Sequence, residues 1–268
     1  MSENILRGAI QKVATGPEFS KNISEEDSYH SMLDILGSDA DSVQAAIYLI
    51  ALRMKRETMD ENIGSLKALI DKSNIITSSV DEVIDIAEPY NGFLRNTPMS
   101  AFLPAVFSSV GLPCVTHGVE TVGPKFGLTI KKILKTAGIN VDQDVESAAS
   151  ALSTQNLGWS YIDQEKFCQP LYKLVELRTR MVKRTILTTI EVGPIRGKSK
   201  THLLTGYVHA AYPPVYSDLA KVSGFDSAIL VKGVEGGVAP SLRGDGKIFY
   251  YNDDDEMKEI KFNAKDLD

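Results

Sequence analysis

The chain has 268 residues, 43% of them hydrophobic, and a formal net charge of -6. A phosphate backbone or an anionic membrane rewards net positive charge, so this balance argues against a protein that binds either one over its whole surface. The two cysteines, Cys114 and Cys168, are too few for a disulfide framework or a structural zinc site and fit a reducing cytoplasm. The segment from Met1 to Lys12 lacks a basic-then-apolar leader, and no apolar run reaches the roughly 20 residues of a membrane helix. A soluble, cytoplasmic protein with no membrane partner is expected.

The first third reads as helical. Val43, Ala46, Ile47, Ile50 and Met54 recur at steps of three and four, which predicts one apolar helical face. Ser24 with Asp27, Thr58 with Glu61 and Ser79 with Glu82 have the spacing of capping boxes and mark three helix starts. From Pro89 the grammar changes. Pro89, Gly92 and Pro98 enclose a loop, and a helix is expected over 100–110. A buried strand over 112–116 leads to a turn at His117-Gly118, and a helix over 128–137 is stopped by Gly138 in the left-handed conformation. Further helices are expected at 144–152, 169–184 and 215–222. Strands are expected at 158–162, 202–209 and 227–231, and an antiparallel pair, 247–251 with 259–262, flanks the acidic turn Asp253-Asp254-Asp255-Glu256. Strands alternating with helices predict an α/β protein, with a small helical N-terminal domain and a larger α/β domain built on a mainly parallel central sheet.

Arg178 falls within the apolar stripe Leu171, Leu174, Val175, Met181, Val182, while Lys173, Glu176, Arg180 and Lys183 take the opposite face. A guanidinium in a buried stripe requires an anionic or polar partner. Between Lys173 and Lys200 the basic residues Lys173, Arg178, Arg180, Lys183, Arg184, Arg196, Lys198 and Lys200 meet only Glu176 and Glu191, so the acidic excess lies elsewhere in the chain. Such segregation could form an anion-binding groove on an acidic protein, or an ordinary solvated face.

The segments Gly16-Pro17-Glu18-Phe19-Ser20, Met32-Leu33-Asp34-Ile35-Leu36 and Ala51 to Thr58, followed by His117-Gly118, Lys125, Gly127, Arg184-Thr185, Gly193-Pro194 and Val231-Lys232-Gly233, resemble the anthranilate phosphoribosyltransferases of glycosyltransferase family 3. The resemblance covers nearly the whole chain. It implies a nucleoside phosphorylase/phosphoribosyltransferase-like architecture: a helical domain over 1–73, joined by a later helix at about 168–184, and an α/β domain over 74–268 that lacks the family's C-terminal helices. It also implies a homodimer and a cleft that takes a phosphorylated sugar donor.

In the family the donor sits on a GTGGD loop and a following NIST helix start, where glycines let amides approach phosphate. Here the first region reads Ala87-Glu88-Pro89-Tyr90-Asn91-Gly92, so a carboxylate, a proline and a tyrosine replace the open cradle. Asn91, Gly92 and Ser100, the serine of the second motif, are the expected phosphate-side residues. The family's KHGN strand end is Thr116-His117-Gly118-Val119, which keeps His117 and Gly118, and Arg178 matches the arginine that contacts the anthranilate carboxylate. The magnesium-binding Asp-Glu pair falls on Val238-Ala239, leaving Glu235 as the sole nearby carboxylate, so Mg2+ is not expected with assurance and no cofactor is assigned. No nucleophilic triad is found and no catalytic residue is assigned.

Two functions stay open. One is pentosyl transfer from a phosphorylated donor to a small acceptor, with authentic tryptophan-pathway activity not expected because cradle and metal pair are altered. The other is a non-catalytic paralogue that binds nucleic acid or another anionic ligand through Lys173, Arg180, Lys183, Arg184, Arg196, Lys198 and Lys200. The Tyr90-Asn91-Gly92 segment and the Glu235-Gly236 turn resemble those of family paralogues that bind nucleic acid.

Overall fold

The computed structural model describes residues 2–191, 193–253 and 255–267. The chain divides into two compact units, one formed by Met1–Ser73, Val122–Pro124 and Cys168–Val192, the other by Asn74–Thr121, Lys125–Phe167 and Gly193–Asp268.

The first unit is helical, with α1 (Ser2–Val13), α2 (Glu25–Ile35), α3 (Ser42–Lys55) and α4 (Met59–Asp71). Ser24 caps α2 by accepting from the Asp27 N–H, and Thr58 and Glu61 form a complete capping box on α4. Helices α2 and α4 approach so closely at Gly64 that an added Cβ would lie 2.1 Å from the Glu25 carbonyl oxygen, so only glycine fits. Ser28 Oγ donates to the Glu61 carbonyl at 2.7 Å across this contact. The buried stripe of α3 is Ala45, Tyr48, Leu49 and Leu52, not the stripe read from the sequence: Val43, Ile47 and Met54 are exposed. Apolar residues surround most of this helix, so spacing alone selects no face, and burying the Leu49 and Leu52 side chains stabilises the unit by about 1.5–3 kcal/mol each.

The expected long helix at 169–184 is two short ones, Gln169–Lys173 and Val175–Met181, joined at Leu174. The second ends where Val182 adopts a left-handed φ of 58°, a conformation that stops helical propagation.

The second unit carries a seven-stranded sheet in the order β4-β3-β2-β6-β7-β8-β9. Its strands are β2 (Glu82–Ala87), β3 (Cys114–Gly118), β4 (Trp159–Asp163), β6 (Lys200–Tyr207), β7 (Ser227–Lys232), β8 (Asp245–Asn252) and β9 (Lys258–Asn263), and a separate parallel pair joins β1 (Ile76–Thr77) to β5 (Ile195–Arg196). Pairing is parallel from β4 through β7 and antiparallel for β8 and β9. The α/β fold with a mainly parallel sheet is therefore the one expected. Strand β2 corrects the sequence reading, which took Ser79 and Glu82 for a helix start: Val83, Ile84 and Ile86 are β-branched, and flanking by β3 and β6 favours the extended chain. Of the acidic turn, Asp254 lies outside the described residues.

One sheet face packs Tyr207, Ala228, Leu230 and Tyr251 against Ala220 of helix Tyr212–Val222. The other packs Ile86, Cys114 and Leu204 against Leu103 and Phe107 of the segment that includes α5 (Leu103–Ser109). A third cluster joins Tyr161 to Ile130 and Leu134 of α6 (Ile130–Thr136), a helix that Gly138 follows with φ 79°. These layers fix the C-terminal ends of β2, β3 and β7, and the loops that leave those ends carry the candidate site.

Candidate functional site

Strand β2 delivers Asp85 into the core beside His117 of β3. Asp85 Oδ1 lies 2.9 Å from His117 Nε2, and both side chains are fully buried. The other ring nitrogen, Nδ1, is hydrogen-bonded to the Tyr90 hydroxyl. With Asp85 accepting from Nε2–H, Nδ1 is left as an acceptor and the tyrosine donates. The result is a buried chain, Asp85 to His117 to Tyr90, in which an imidazole at a strand end holds the tyrosine of the loop after β2. Gly193 passes so close to Asp85 that an added Cβ would lie 1.3 Å from Oδ2. Asp85 was not singled out by sequence reasoning; its signal was a carboxylate inside the apolar run Val83-Ile84-Asp85-Ile86.

Glu88 follows directly. Its carboxylate accepts from the Val238 N–H at 3.5 Å, and it is buried. Burial pushes its carboxyl up to about 7, against the opposing pull of Ser100 and Val238. A Cβ on Gly237 would meet Glu88 Oε2 at 2.7 Å and the Phe93 ring at 2.6 Å, so a larger residue there would push these side chains aside. Ser100 is thus placed beside a carboxylate of its own chain.

Asn91 and Gly92 are buried in the same loop. Gly127 N–H donates to the Asn91 carbonyl at 2.9 Å, and Phe93 and Leu128 exchange backbone hydrogen bonds at 3.0 and 2.9 Å. Gly92, at φ 72°, lies against the 127–128 backbone with only 2.7 Å available to a Cβ, which leaves no room for any other residue. The loop after β2 is therefore clamped to the loop after β3.

A third carboxylate completes the set. Glu235 Oε1 accepts from the N–H groups of Leu94 at 3.0 Å and Arg95 at 2.7 Å, and Oε2 receives Lys125 Nζ at 2.7 Å. Burial works against the charged form, but Lys125 and the two amides outweigh it and hold the carboxyl below its usual range. The family's magnesium does not fit this arrangement: the oxygens of Glu235 are engaged by N–H donors, and Val238 and Ala239 offer no carboxylate. Among the described residues no group of three His, Cys, Asp or Glu side chains gathers to hold a metal ion.

Asn91, Gly92, Ser100, His117, Gly118 and Glu235 all belong to loops, helix starts and strand ends of the α/β unit. Arg178 belongs to the helical unit, where it is buried and paired with Glu191 at 2.8 Å. The anion that its burial demands comes from the chain itself.

The basic residues separate into two kinds. Arg196 donates to the Gly193 and Ser223 carbonyls at 3.0 and 3.2 Å and stacks 4.5 Å from the Phe225 ring, while Lys200 pairs with Asp253 at 2.8 Å. Lys173, Arg180, Lys183, Arg184 and Lys198 are exposed, and only Arg180 has an acidic neighbour, Glu176 at 3.9 Å, among the described residues. Sequence reasoning also passed over Lys131, a buried ammonium in α6 held by Asp163 at 2.9 Å and Asp142 at 3.4 Å.

Residues 7–73 match the model of the glycosyl transferase family, helical bundle domain. Across 88% of its length the chain is 24% identical to an uncharacterized protein of Aquifex aeolicus, covering 71% of that protein. It is 25% identical over 83% of its length to the anthranilate phosphoribosyltransferase of Methanothermobacter thermautotrophicus, of which it spans 62%. Its fold matches the Saccharomyces cerevisiae anthranilate phosphoribosyltransferase in complex with PRPP and Mg at TM-score 0.75 and 18% identity, covering 97% of this chain and 72% of that one. The anthranilate phosphoribosyltransferase of Thermus thermophilus matches at TM-score 0.70 and 15% identity, covering 98% of this chain and 74% of that one.

Proposed function

Starting from a chain that is anthranilate phosphoribosyltransferase-like in its helical domain and fold, we propose that it is a divergent relative that no longer transfers phosphoribosyl groups from PRPP and acts by binding. The observation that carries this reading is Glu88. It stands in the loop that matches the start of the cradle, buried, and its carboxylate takes the Val238 amide. Ionised, it repels pyrophosphate; protonated, it still fills the volume. Transfer of this kind depends on positioning and on stabilising the departing charge. Here the clamp on Gly92, the Tyr90 plug and the missing carboxylate pair all act against both requirements. A pyrophosphate-release assay with PRPP, Mg2+ and anthranilate tests the reading: no release above the protein-free rate is expected, and turnover that scales with protein concentration would overturn it. Pentosyl transfer from another phosphorylated donor is the competing reading, and release of inorganic phosphate from pentose 1-phosphates addresses it.

The binding partner that the exposed basic segment favours is a polyanion, with nucleic acid as the chemistry that best matches several adjacent cations. Lys173, Arg180, Lys183 and Arg184 lie within one stretch of the helical unit and are all exposed. Arg196 and Lys200 are omitted from this surface because their charges are engaged internally. Binding of a mixed oligonucleotide is expected to weaken with salt and to weaken further in the double variant Arg180→Ala, Lys183→Ala. An affinity unchanged by that variant would remove this segment as the surface.

A further inference from the structure

Leu94 and Arg95 direct two consecutive backbone N–H groups at the Glu235 carboxylate, and Lys125 closes on its second oxygen at 2.7 Å. Adjacent amides plus an ammonium form a donor set suited to a phosphoryl or carboxylate oxygen, because each charge-assisted bond is short and strong. Lys125 also reaches the Gly92 carbonyl at 3.4 Å, which fixes its head in place. The donors therefore have an arrangement of their own, apart from Glu235.

Glu235 holds its position under strain. Its φ of 55° lies in the left-handed region, which costs a residue with a side chain about 1–2 kcal/mol. Gly236 follows it at φ 89°, a conformation that glycine adopts without steric cost. Leu94 is 66% exposed and Arg95 is exposed, so solvent and solutes reach the two residues whose amides are bonded. Glu235 is thus a residue in a strained conformation whose carboxylate occupies amides on exposed residues, the form of an internal ligand.

We propose that Leu94, Arg95 and Lys125 form an anion site for a single phosphoryl or carboxylate group, with Glu235 as a resident occupant that an incoming ligand displaces. The donors include no atom of Glu88 or Tyr90, so a test with inorganic phosphate and no metal reads this site and not PRPP binding.

The test uses the full chain, inorganic phosphate without metal, and the variant Glu235→Gly, which removes the carboxylate and tolerates the left-handed backbone. Calorimetry is paired with the amide NMR shifts of Leu94 and Arg95. The variant is expected to bind phosphate about tenfold or more tighter than the wild type, with both amides shifting, and to lose that gain when Lys125→Met is added. Equal affinity in variant and wild type, or a gain that survives the loss of Lys125, overturns the proposal. Glu235→Asn, which also tolerates positive φ, repeats the measurement. Failure of both variants to fold, judged by far-UV circular dichroism, would make Glu235 a strut and would equally overturn it.

Discussion

The Tyr90 hydroxyl donates to Nδ1 of His117, whose Nε2 is held by Asp85. Both ring nitrogens of His117 are thereby committed to side chains of the same chain. The ring at the end of β3 faces a tyrosine that plugs the loop after β2, and the T-shaped contact of the two rings, with centroids 5.5 Å apart, packs them as well as bonding them.

Removing the hydroxyl therefore has a defined cost. Tyr90→Phe leaves His117 Nδ1 buried without that donor, and a loss of about 1–3 kcal/mol is expected in urea unfolding. A change below a few tenths of a kcal/mol would show that the bond contributes nothing to the plug.

Glu88 makes stability depend on pH. Its folded pKa, raised to about 7 by burial, lies above the ordinary value of 4.5, so the folded state binds the proton more tightly than the unfolded chain. Its contribution is fully present below the unfolded value and is lost as pH rises through about 7, at up to about 3 kcal/mol. Glu88→Gln removes this dependence. The wild-type minus variant difference in unfolding free energy, measured from about pH 4 to about pH 8, is expected to turn against the wild type as pH rises. A flat difference would contradict the burial argument.

Gly193 is a steric test of the same core. Gly193→Ala places a methyl 1.3 Å from Asp85 Oδ2, so either the strand or the carboxylate must move. A destabilisation above about 3 kcal/mol, or failure to fold, is expected in thermal unfolding. A variant of wild-type stability would mean that the Asp85 to His117 arrangement is looser than described.

In the helical unit, Lys55 and Glu61 form an ion pair at 2.7 Å with both side chains nearly inaccessible. Glu61 also accepts from the Ile23 and Thr58 amides at 3.0 and 2.8 Å, so Lys55→Met strands a carboxylate that still keeps two donors. A loss of about 3 kcal/mol is expected by chemical denaturation, at the low end for a broken buried pair. A neutral result would show that the two amides alone satisfy the carboxylate.

Local signals in the sequence predicted local structure well and long-range partners poorly. The Thr58-Glu61 box and the stop at Gly138 are decided within one helical turn, and both stand as read. Strand β2 was hidden because Ser79 and Glu82 have capping spacing, while its extended state is imposed by β3 and β6, from distant parts of the chain. The buried face of α3 was misassigned because Val43, Ile47 and Met54 are as apolar as the residues that are buried. At the site, the sequence put Glu88 and Tyr90 in one loop, and the structure places both in the loop after β2. What each residue touches was not legible: Glu88 meets Val238, Tyr90 meets His117 and Glu235 meets Leu94 and Arg95, contacts that the fold alone brings together.

The loop after β2 is filled by the buried side chains of Glu88 and Tyr90, and the proposed function requires that it take no PRPP. Titration calorimetry of the wild-type protein with PRPP and Mg2+ tests it most directly. The account predicts no saturable heat at millimolar ligand. Stoichiometric, magnesium-dependent binding would contradict it.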